Sequence, residues 1–566
     1  MKPLGGSPGR DPASGGDPGG APAPDPEDAP APIGRGAAIA TAGTALSRLT
    51  GFLRIAAMAY ALGVVETRLA DTYNLANTTP NILYELVVGG VLSAVLLRVY
   101  VEVRERSGPE AAWRFVSRVT NAAMIVLGAF MILGLLFAPS IFRLYTALRA
   151  PGPNLASQQA LGTFLLRLFV PQILFYGFST ISTAILHAHR RFGVPMFVPV
   201  LNNLIVTATF LVFAVTVPPL LRSPASVPFS GRLLLGLGTT AGVAAMGLAP
   251  WVVMRRVGWR HSWGVGVLDA DVRRLGRLAA YTLGYVATNQ VGLWITLVLA
   301  TRVQGGVTAY QTAFNLFQLP FGLFVVSIST VLGLDLAERA VAGDRVGFGR
   351  RLIQGLRASI FIVLPAIAGY LAIAPGVVRV LLEHGVATEA STRLIALVLR
   401  AWAPGILFFS VFHLLLRSFQ ALGDTRTPML VNFGAFAVNI AVNLALFAAL
   451  ADESAKVAGL AVGHAASYLF ASVISFRLLS RRLGGFDTRE LRRSFALSVL
   501  AAAVTGGGAW ATARVLERAL GGQGFGGQLI PVLVATGVGL GLYASLTRIL
   551  RLEELGWMRG LARRTL

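Results

Sequence analysis

Ser47-Arg48-Leu49-Thr50-Gly51-Phe52-Leu53-Arg54 lies inside the first long apolar run of the chain, residues 37–63. A run of that length can cross a bilayer, which takes about 20 apolar residues. The stretch therefore puts two arginines inside a spanning helix. On insertion scales each costs about 2.5–3.5 kcal/mol near the helix centre. Such charges persist where they face a wet cavity, a partner or a ligand. The reading adopted is that Arg48 and Arg54 face a cavity and meet an anionic substrate there.

The rest of the composition agrees with a membrane setting. The chain has 566 residues, 55% of them hydrophobic and 13% charged, with a mean hydropathy of +0.67. A soluble chain would carry about 25% charged residues. No secretory signal is read in the first 36 residues, so the first span is expected to act as its own insertion signal. There are no cysteines, which excludes disulfides, thiolate metal sites and cysteine nucleophiles. A net charge of +23 would suit nucleic acid in a soluble chain. Here the arginines crowd short loops on one side, as the positive-inside rule demands, and no nucleic-acid partner is expected.

Residues 1–36 hold nine Pro and nine Gly and read as a disordered cytoplasmic tail. About fourteen spans follow, at 37–63, 71–97, 115–138, 160–187, 194–217, 231–254, 277–301, 306–333, 352–374, 394–416, 427–450, 457–478, 494–516 and 527–547. Of the 49 Lys and Arg, 31 fall in the loops on one side and 11 in those opposite. That asymmetry puts both termini in the cytoplasm. The fold class expected is an all-α polytopic membrane protein.

A weak repeat divides the spans. Ala188-His189-Arg190-Arg191-Phe192-Gly193-Val194-Pro195-Met196 and Ala421-Leu422-Gly423-Asp424-Thr425-Arg426-Thr427-Pro428-Met429 each precede a span. The proline-broken spans at Thr79-Pro80-Asn81 and Leu319-Pro320-Phe321 sit at a similar offset. The offset is six helices, an even number. Two six-helix lobes, 37–254 and 277–478, should then be related by a pseudo-twofold along the membrane normal. Residues 494–566, with two further helices and a cytoplasmic C-terminus, fall outside the repeat. Matched interruptions point to a central site between the lobes, with Gly51, Pro80 and Pro320 as candidate hinges.

No enzyme constellation appears. The chain's lysines are Lys2 and Lys456, and neither sits in a Walker A pattern, so ATP hydrolysis by that route is excluded. No histidine pairs with an acidic residue at a metal-ligand spacing; His413 and His464 read as hydrogen-bonded structural groups. No cofactor or metal is expected. Transport would draw on an unspecified ion gradient or the membrane potential. At about 1.5 Å per residue, Arg48 and Arg54 lie roughly 17 and 26 Å along helix 1, and Glu85 about 21 Å down helix 2 from its outer start. Two readings stay open. Arg54–Asp71 and Arg48–Glu85 could be pairs that staple helices 1 and 2. Alternatively, these groups line a cavity, where a guanidinium fork suits a phosphate or pyrophosphate. Asn315 and Gln318, at i, i+3 before Pro320, are the matching polar groups of the second lobe. They could bind a sugar or phosphate, or hold helices together.

These residues resemble the MurJ (MviN) family, lipid II flippases of the MOP exporter superfamily. The likeness rests on Ser47-Arg48, Gly51-Phe52 and Arg54, then Asp71, then Pro80-Asn81 with Gly90 and Ser93 downstream, and it extends over the span plan. The resemblance implies a flippase moving an undecaprenyl-pyrophosphate-linked peptidoglycan precursor from the inner to the outer leaflet of the bacterial plasma membrane. It also implies that the two extra helices form an apolar groove for the lipid tail. Arg48 and Arg54 match the family's essential arginines, and Asp71 an important acidic position. The family's arginine pair after Pro-Asn is replaced by Tyr84 and Glu85, its glutamate before the glycine by Gly89. Its Asp-Arg and following Glu in helix 8 appear as Phe314-Asn315 and Gln318.

The expected mechanism is alternating access, with pyrophosphate on Arg48 and Arg54 and sugars on groups such as Asn315 and Gln318. The expected partners are the lipid-linked glycan, membrane lipid and possible cell-wall synthesis proteins, with a monomeric chain. Three alternatives remain: a flippase for another lipid-linked glycan, a cation-coupled small-molecule antiporter of the same superfamily, and a scaffold acting through its tail.

Overall fold

The computed structural model describes residues 33–88, 91–191, 193–263, 286–520, 524–554 and 556. The expected tail, apart from its last four residues, and the start of the seventh span lie outside that range. The described residues form helices joined by short turns. In the first half these are α1 (Ile33–Leu62), α2 (Leu69–Val88), α3 (Val91–Tyr145), α4 (Pro153–Phe169), α5 (Gln172–Ala188), α6 (Gly193–Thr216) and α7 (Phe229–Arg256). The second half holds α8 (Val286–Ala300), α9 (Gly306–Pro320), α10 (Val326–Val341), α11 (Arg345–Leu382), α12 (Glu389–Ala421), α13 (Arg426–Ala449) and α14 (Glu453–Leu483). Then come α15 (Arg489–Leu520) and α16 (Gly524–Ile549).

Among the described residues, sixteen α-helices make fourteen spans because two of the spans are broken. Val170-Pro171 separates α4 from α5, which together make one 36-residue span. A π-wound turn, Phe321–Val325, links α9 to α10. Conversely, α3 carries more than one span's worth of residues and breaks at Gly108, whose φ of 81° only glycine adopts readily. Eleven helical stretches among the described residues are long and apolar enough to span. The other three spans are α1 and α2, which carry the charges discussed above, and α8, whose described part is short.

Helix ends follow ordinary capping chemistry. Asp344 Oδ1 accepts from Gly347 N at 2.8 Å at the start of α11, and Asp452 Oδ1 from Ala455 N at 2.7 Å at the start of α14. Each satisfies an N–H that has no intrahelical partner.

Within the first half, α1 packs on α6, α6 on α7, α5 on α7 and α3, and α2 on α4. The second half mirrors part of this, with α14 between α12 and α13 and α9 on α12. The last two helices, α15 and α16, pair with each other and lie on α11. A charged clasp fixes them there. Arg357 of α11 donates to Glu554 Oε1 (2.7 Å), Glu490 Oε2 (2.6 Å) and Glu553 Oε2 (3.1 Å), and Ser494 also donates to Glu554 Oε1.

The halves close against each other around the carboxy-terminal end of α1. Around Ala57–Leu62 and Leu69–Ala76 the apolar core runs unbroken into Leu297–Ala300, Val307–Phe317 and Leu394–Ile406. Toward the other end of α1, Leu46, Leu49 and Leu53 are exposed. The space between the halves lies on the amino-terminal side of that contact along α1, where it is lined by Arg48 and Arg54.

Candidate functional site

The stretch 47–54 lies on the wall of that space. One chamber, of about 370 Å³, is lined by Thr44, Ser47, Arg48, Gly51, Phe52, Arg54 and Ile55 of α1, by Pro195, Met196, Pro199 and Asn203 of α6, and by Asn315 of α9. A second, of about 250 Å³, lies deeper between α2 and α9. It is bounded by Asn74, Asn77, Thr78 and Asn81 on one side and by Gln311, Thr312, Phe314 and Asn315 on the other. Arg54, Ile55 and Asn315 belong to both chambers, so they form one stepped cavity between the halves.

Local sequence explains why α1 can present these groups. Asn203 Nδ2 donates to Ser47 O (3.1 Å) and Thr50 Oγ1 (3.2 Å), which ties α6 to α1 on the flank of the arginines. A Cβ at Gly51 would stand in ordinary contact with Asn203 Nδ2, at 3.6 Å. Arg48 reaches across to the second half, where a Cβ on Gly322 would lie 3.0 Å from its Nη2. Among the described residues neither Arg48 nor Arg54 has a hydrogen-bond or ion-pair partner. Neither chamber is lined by an Asp or Glu. Two uncompensated guanidinium groups on a carboxylate-free cavity make an anion site by charge alone.

The staple arrangement does not form. Asp71 is fully buried and does not line the cavity; its carboxylate caps α9 instead. Its Oδ2 accepts from Gly305 N at 2.9 Å, and its Oδ1 from Thr308 N at 2.9 Å and Thr308 Oγ1 at 2.8 Å. The expected placement of Asp71 at the substrate is therefore corrected: the free N–H groups of a helix start outcompete a guanidinium across the gap. Glu85 and Gln318 also line neither chamber, whereas Asn315 lines both. Pro80 sits inside one continuous α2, while Pro320 marks the change to π winding. The two prolines are thus not equivalent breaks. The His464 ring packs among aromatic rings, 4.6 Å from Trp402 and 4.7 Å from Tyr468, and among the described residues only its backbone carbonyl takes a side-chain hydrogen bond, from Ser467 Oγ at 2.7 Å, contrary to the expectation of a hydrogen-bonded imidazole.

Sequence reasoning passed over Asn74, Asn77, Thr78 and Gln311. For those on α2 the signal was a polar stripe at helical spacing, 74, 77, 78 and 81.

Beyond the cavity, α11 and α15 enclose an apolar groove of about 470 Å³ lined by groups such as Leu364, Ile367, Leu371, Val499, Gly506 and Trp510.

Comparison with known proteins gives this geometry a family. The model of the family described as "Lipid II flippase MurJ" matches residues 58–525. A probable lipid II flippase MurJ of Rhizobium meliloti is 28% identical over 467 residues, covering 81% of this chain and 83% of that protein. One of Haemophilus influenzae is 26% identical over 480 residues, covering 82% and 90%. Among solved structures, a lipid II flippase MurJ in an inward closed conformation superposes with a TM-score of 0.71 at 21% identity, covering 91% of this chain and 99% of the other. An inward-facing multidrug-resistance MATE transporter of the MOP superfamily gives 0.63 at 12% identity, covering 79% and 98%. The chain is a multi-pass helical membrane protein, and it belongs to the lipid II flippase MurJ family.

Proposed function

We propose that this chain carries a pyrophosphate-linked lipid glycan of the lipid II class from the inner to the outer leaflet of the bacterial plasma membrane by alternating access. Both termini lie in the cytoplasm, so the cavity opens inward. The observation that carries the reading is the pair of arginines, Arg48 and Arg54, that have no hydrogen-bond or ion-pair partner among the described residues and line a cavity to which those residues contribute no carboxylate. Pyrophosphate oxygens accept charge-assisted hydrogen bonds from both guanidinium groups, and this offsets the cost of holding them at membrane depth. The lipid tail stays outside the cavity, along the groove between α11 and α15.

No nucleotide chemistry is involved. An inside-negative potential drives an anionic headgroup outward with about 2.3 kcal/mol per charge per 100 mV, so the potential alone gives transport its direction. The chain works as a monomer. Its tail is dispensable for transport, so deletion of residues 1–36 leaves flipping intact.

A cation-coupled antiporter fits the MATE-like fold but not this site, because a cationic substrate would be repelled by Arg48 and Arg54. The test is translocation of a labelled lipid-pyrophosphate glycan in proteoliposomes. Arg48→Ala and Arg54→Ala should each abolish it while membrane insertion stays normal. If both variants still replace the flippase in depleted cells, the pyrophosphate reading fails.

A further inference from the structure

A proline inside a helix has no N–H, so the carbonyl four residues before it loses its donor. At membrane depth a bare carbonyl is costly, and a neighbouring group has to supply the missing hydrogen bond. Three carbonyls of α9 and α11 are freed in this way, and each is taken by a side chain of another helix. Pro320 frees Leu316 O in α9, which accepts from Tyr370 Oη of α11 at 2.7 Å. Pro365 frees Phe361 O in α11, which accepts from Tyr543 Oη of α16 at 2.7 Å. Pro375 frees Leu371 O in α11, which accepts from Arg400 Nε of α12 at 3.1 Å.

The stretch of α11 between its two prolines also carries the groove wall. Ile367, Ala368, Leu371 and Ala372 line the groove shared with α15. Tyr370 stands between Ala368 and Leu371 in sequence but does not line the groove; its hydroxyl reaches α9 instead. The carbonyl it meets belongs to the hinge of the other site. Pro320 is followed by the π-wound turn Phe321–Val325, and π turns within helices are frequent at functional sites. This turn holds Gly322, against which Arg48 lies.

The source of the donor matters. A Ser or Thr in place of Leu319 could satisfy Leu316 O from within α9, as Ser329 does for Val326 O three residues before it. A donor from α11 instead makes the shape of the α9 hinge depend on where α11 stands. Groove wall, Tyr370, Leu316 O, the π turn and Arg48 thus form one contiguous chain of contacts.

We infer that Tyr370 is a positioning residue that passes occupancy of the groove by a lipid tail to the α9 hinge, and so to Arg48. This rests on the proposed roles of the groove and of the arginines. A tail in the groove holds α11 where Tyr370 reaches Leu316 O, and that bond sets the π turn against Arg48. Each end of the substrate then favours binding of the other, and the coupling is reciprocal.

The test separates the two ends. The full-length protein in nanodiscs is titrated with inorganic pyrophosphate, with and without saturating polyprenol. In the parent chain polyprenol should raise pyrophosphate affinity about fivefold. In Tyr370→Phe that gain should vanish. Tyr543→Phe removes a hydroxyl from the other freed carbonyl at a tyrosine, away from α9, and should keep the gain. The gain is a ratio, so it is read even where a variant lowers the separate affinities. No gain in the parent chain, a gain that survives in Tyr370→Phe, or equal loss in both tyrosine variants overturns the assignment. The underlying readings fail differently. Pyrophosphate affinity that Arg48→Ala leaves unchanged ends the arginine reading, and a gain that Gly507→Trp leaves unchanged ends the part of the groove; either takes this inference with it.

Discussion

Asp71 and Thr308 join the two halves of the molecule: the buried carboxylate accepts from both the backbone N–H and the hydroxyl of Thr308, at 2.9 and 2.8 Å. With Gly305 N as a third donor, an acid of the first half caps a helix of the second. The cap lies at the closed end of the cavity, beside Arg68, whose guanidinium donates to Thr301 O at 2.8 Å and Arg302 O at 3.3 Å. These contacts must break before the substrate leaves on that side.

Asp71→Ala should therefore loosen the closed end. Losing a buried acceptor for three donors costs about 1–3 kcal/mol, or around tenfold in the open-to-closed ratio. The chain has no cysteine, so Asn77→Cys gives a clean reporter inside the cavity. Its labelling by a membrane-impermeant maleimide from the outer side should rise about tenfold when Asp71→Ala is added. Gly305→Ala should act the same way. Its φ of 76° is left-handed, and a Cβ there would stand 2.8 Å from Val64 O. Unchanged labelling in both would show that the cap does not hold the gate.

A second acid, Glu66 in the α1–α2 loop, gives this end a pH dependence. Burial pushes its carboxyl up, but hydrogen bonds from Thr388 and Val64 N outweigh burial and hold it below the ordinary carboxylate value. A group lowered on folding stabilises the fold above its unfolded value, about 4.3. That contribution disappears as pH falls through the folded value. Glu66→Gln should thus lower the thermal midpoint at pH 7, and the difference from the parent chain should shrink below about pH 4. A difference that does not vary with pH would contradict this.

Arg357 makes the strongest stability prediction. Its side chain is 7% exposed and that of Glu554 is 0%. Arg357→Ala leaves Glu554 buried without its cation, and breaking such a pair typically costs about 3–5 kcal/mol. Thermal unfolding and proteolysis of the α15–α16 pair should both report the loss, whereas Arg400→Ala, at an Arg donating to one carbonyl, should have little effect.

The groove between α11 and α15 is tested by filling it. A Cβ at Gly507, on the groove wall, would meet nothing within 4 Å, so Gly507→Trp adds bulk to the groove without a clash at its Cβ. Transport of a long-chain substrate should fall several-fold, while affinity for a short-chain analogue stays the same. Equal effects on both chain lengths would remove the groove from the lipid path.

Much of this was legible in the sequence, and the exceptions have physical causes. Apolar length and loop charge gave fourteen spans, because bilayer thickness leaves few alternatives. Arg48 and Arg54 were conspicuous because charge at membrane depth is costly. Asp71 looked like their partner because depth along two helices was all the sequence supplied. Its true partners are two backbone N–H groups and the Thr308 hydroxyl, which come together only once α9 begins at Gly306. The repeat was read from the 188–196 and 421–429 motifs and from the proline-broken spans, and the residues that meet across the halves keep the offset of the motifs, 233–234: Asn74 with Thr308 and Thr78 with Gln311. Elements on a twofold axis touch their own counterparts, so the offset of the contacts carries the symmetry better than the kinks do.

The central claim is that Arg48 and Arg54 hold a pyrophosphate. The most direct measurement compares binding of polyprenyl pyrophosphate and the uncharged polyprenol to the full chain and to the Arg48→Ala, Arg54→Ala double variant. The full chain should prefer the pyrophosphate by at least a hundredfold, and the double variant should lose nearly all of that preference, consistent with about 1.5–3 kcal/mol for each charged hydrogen bond. A double variant that keeps the full preference would contradict the account.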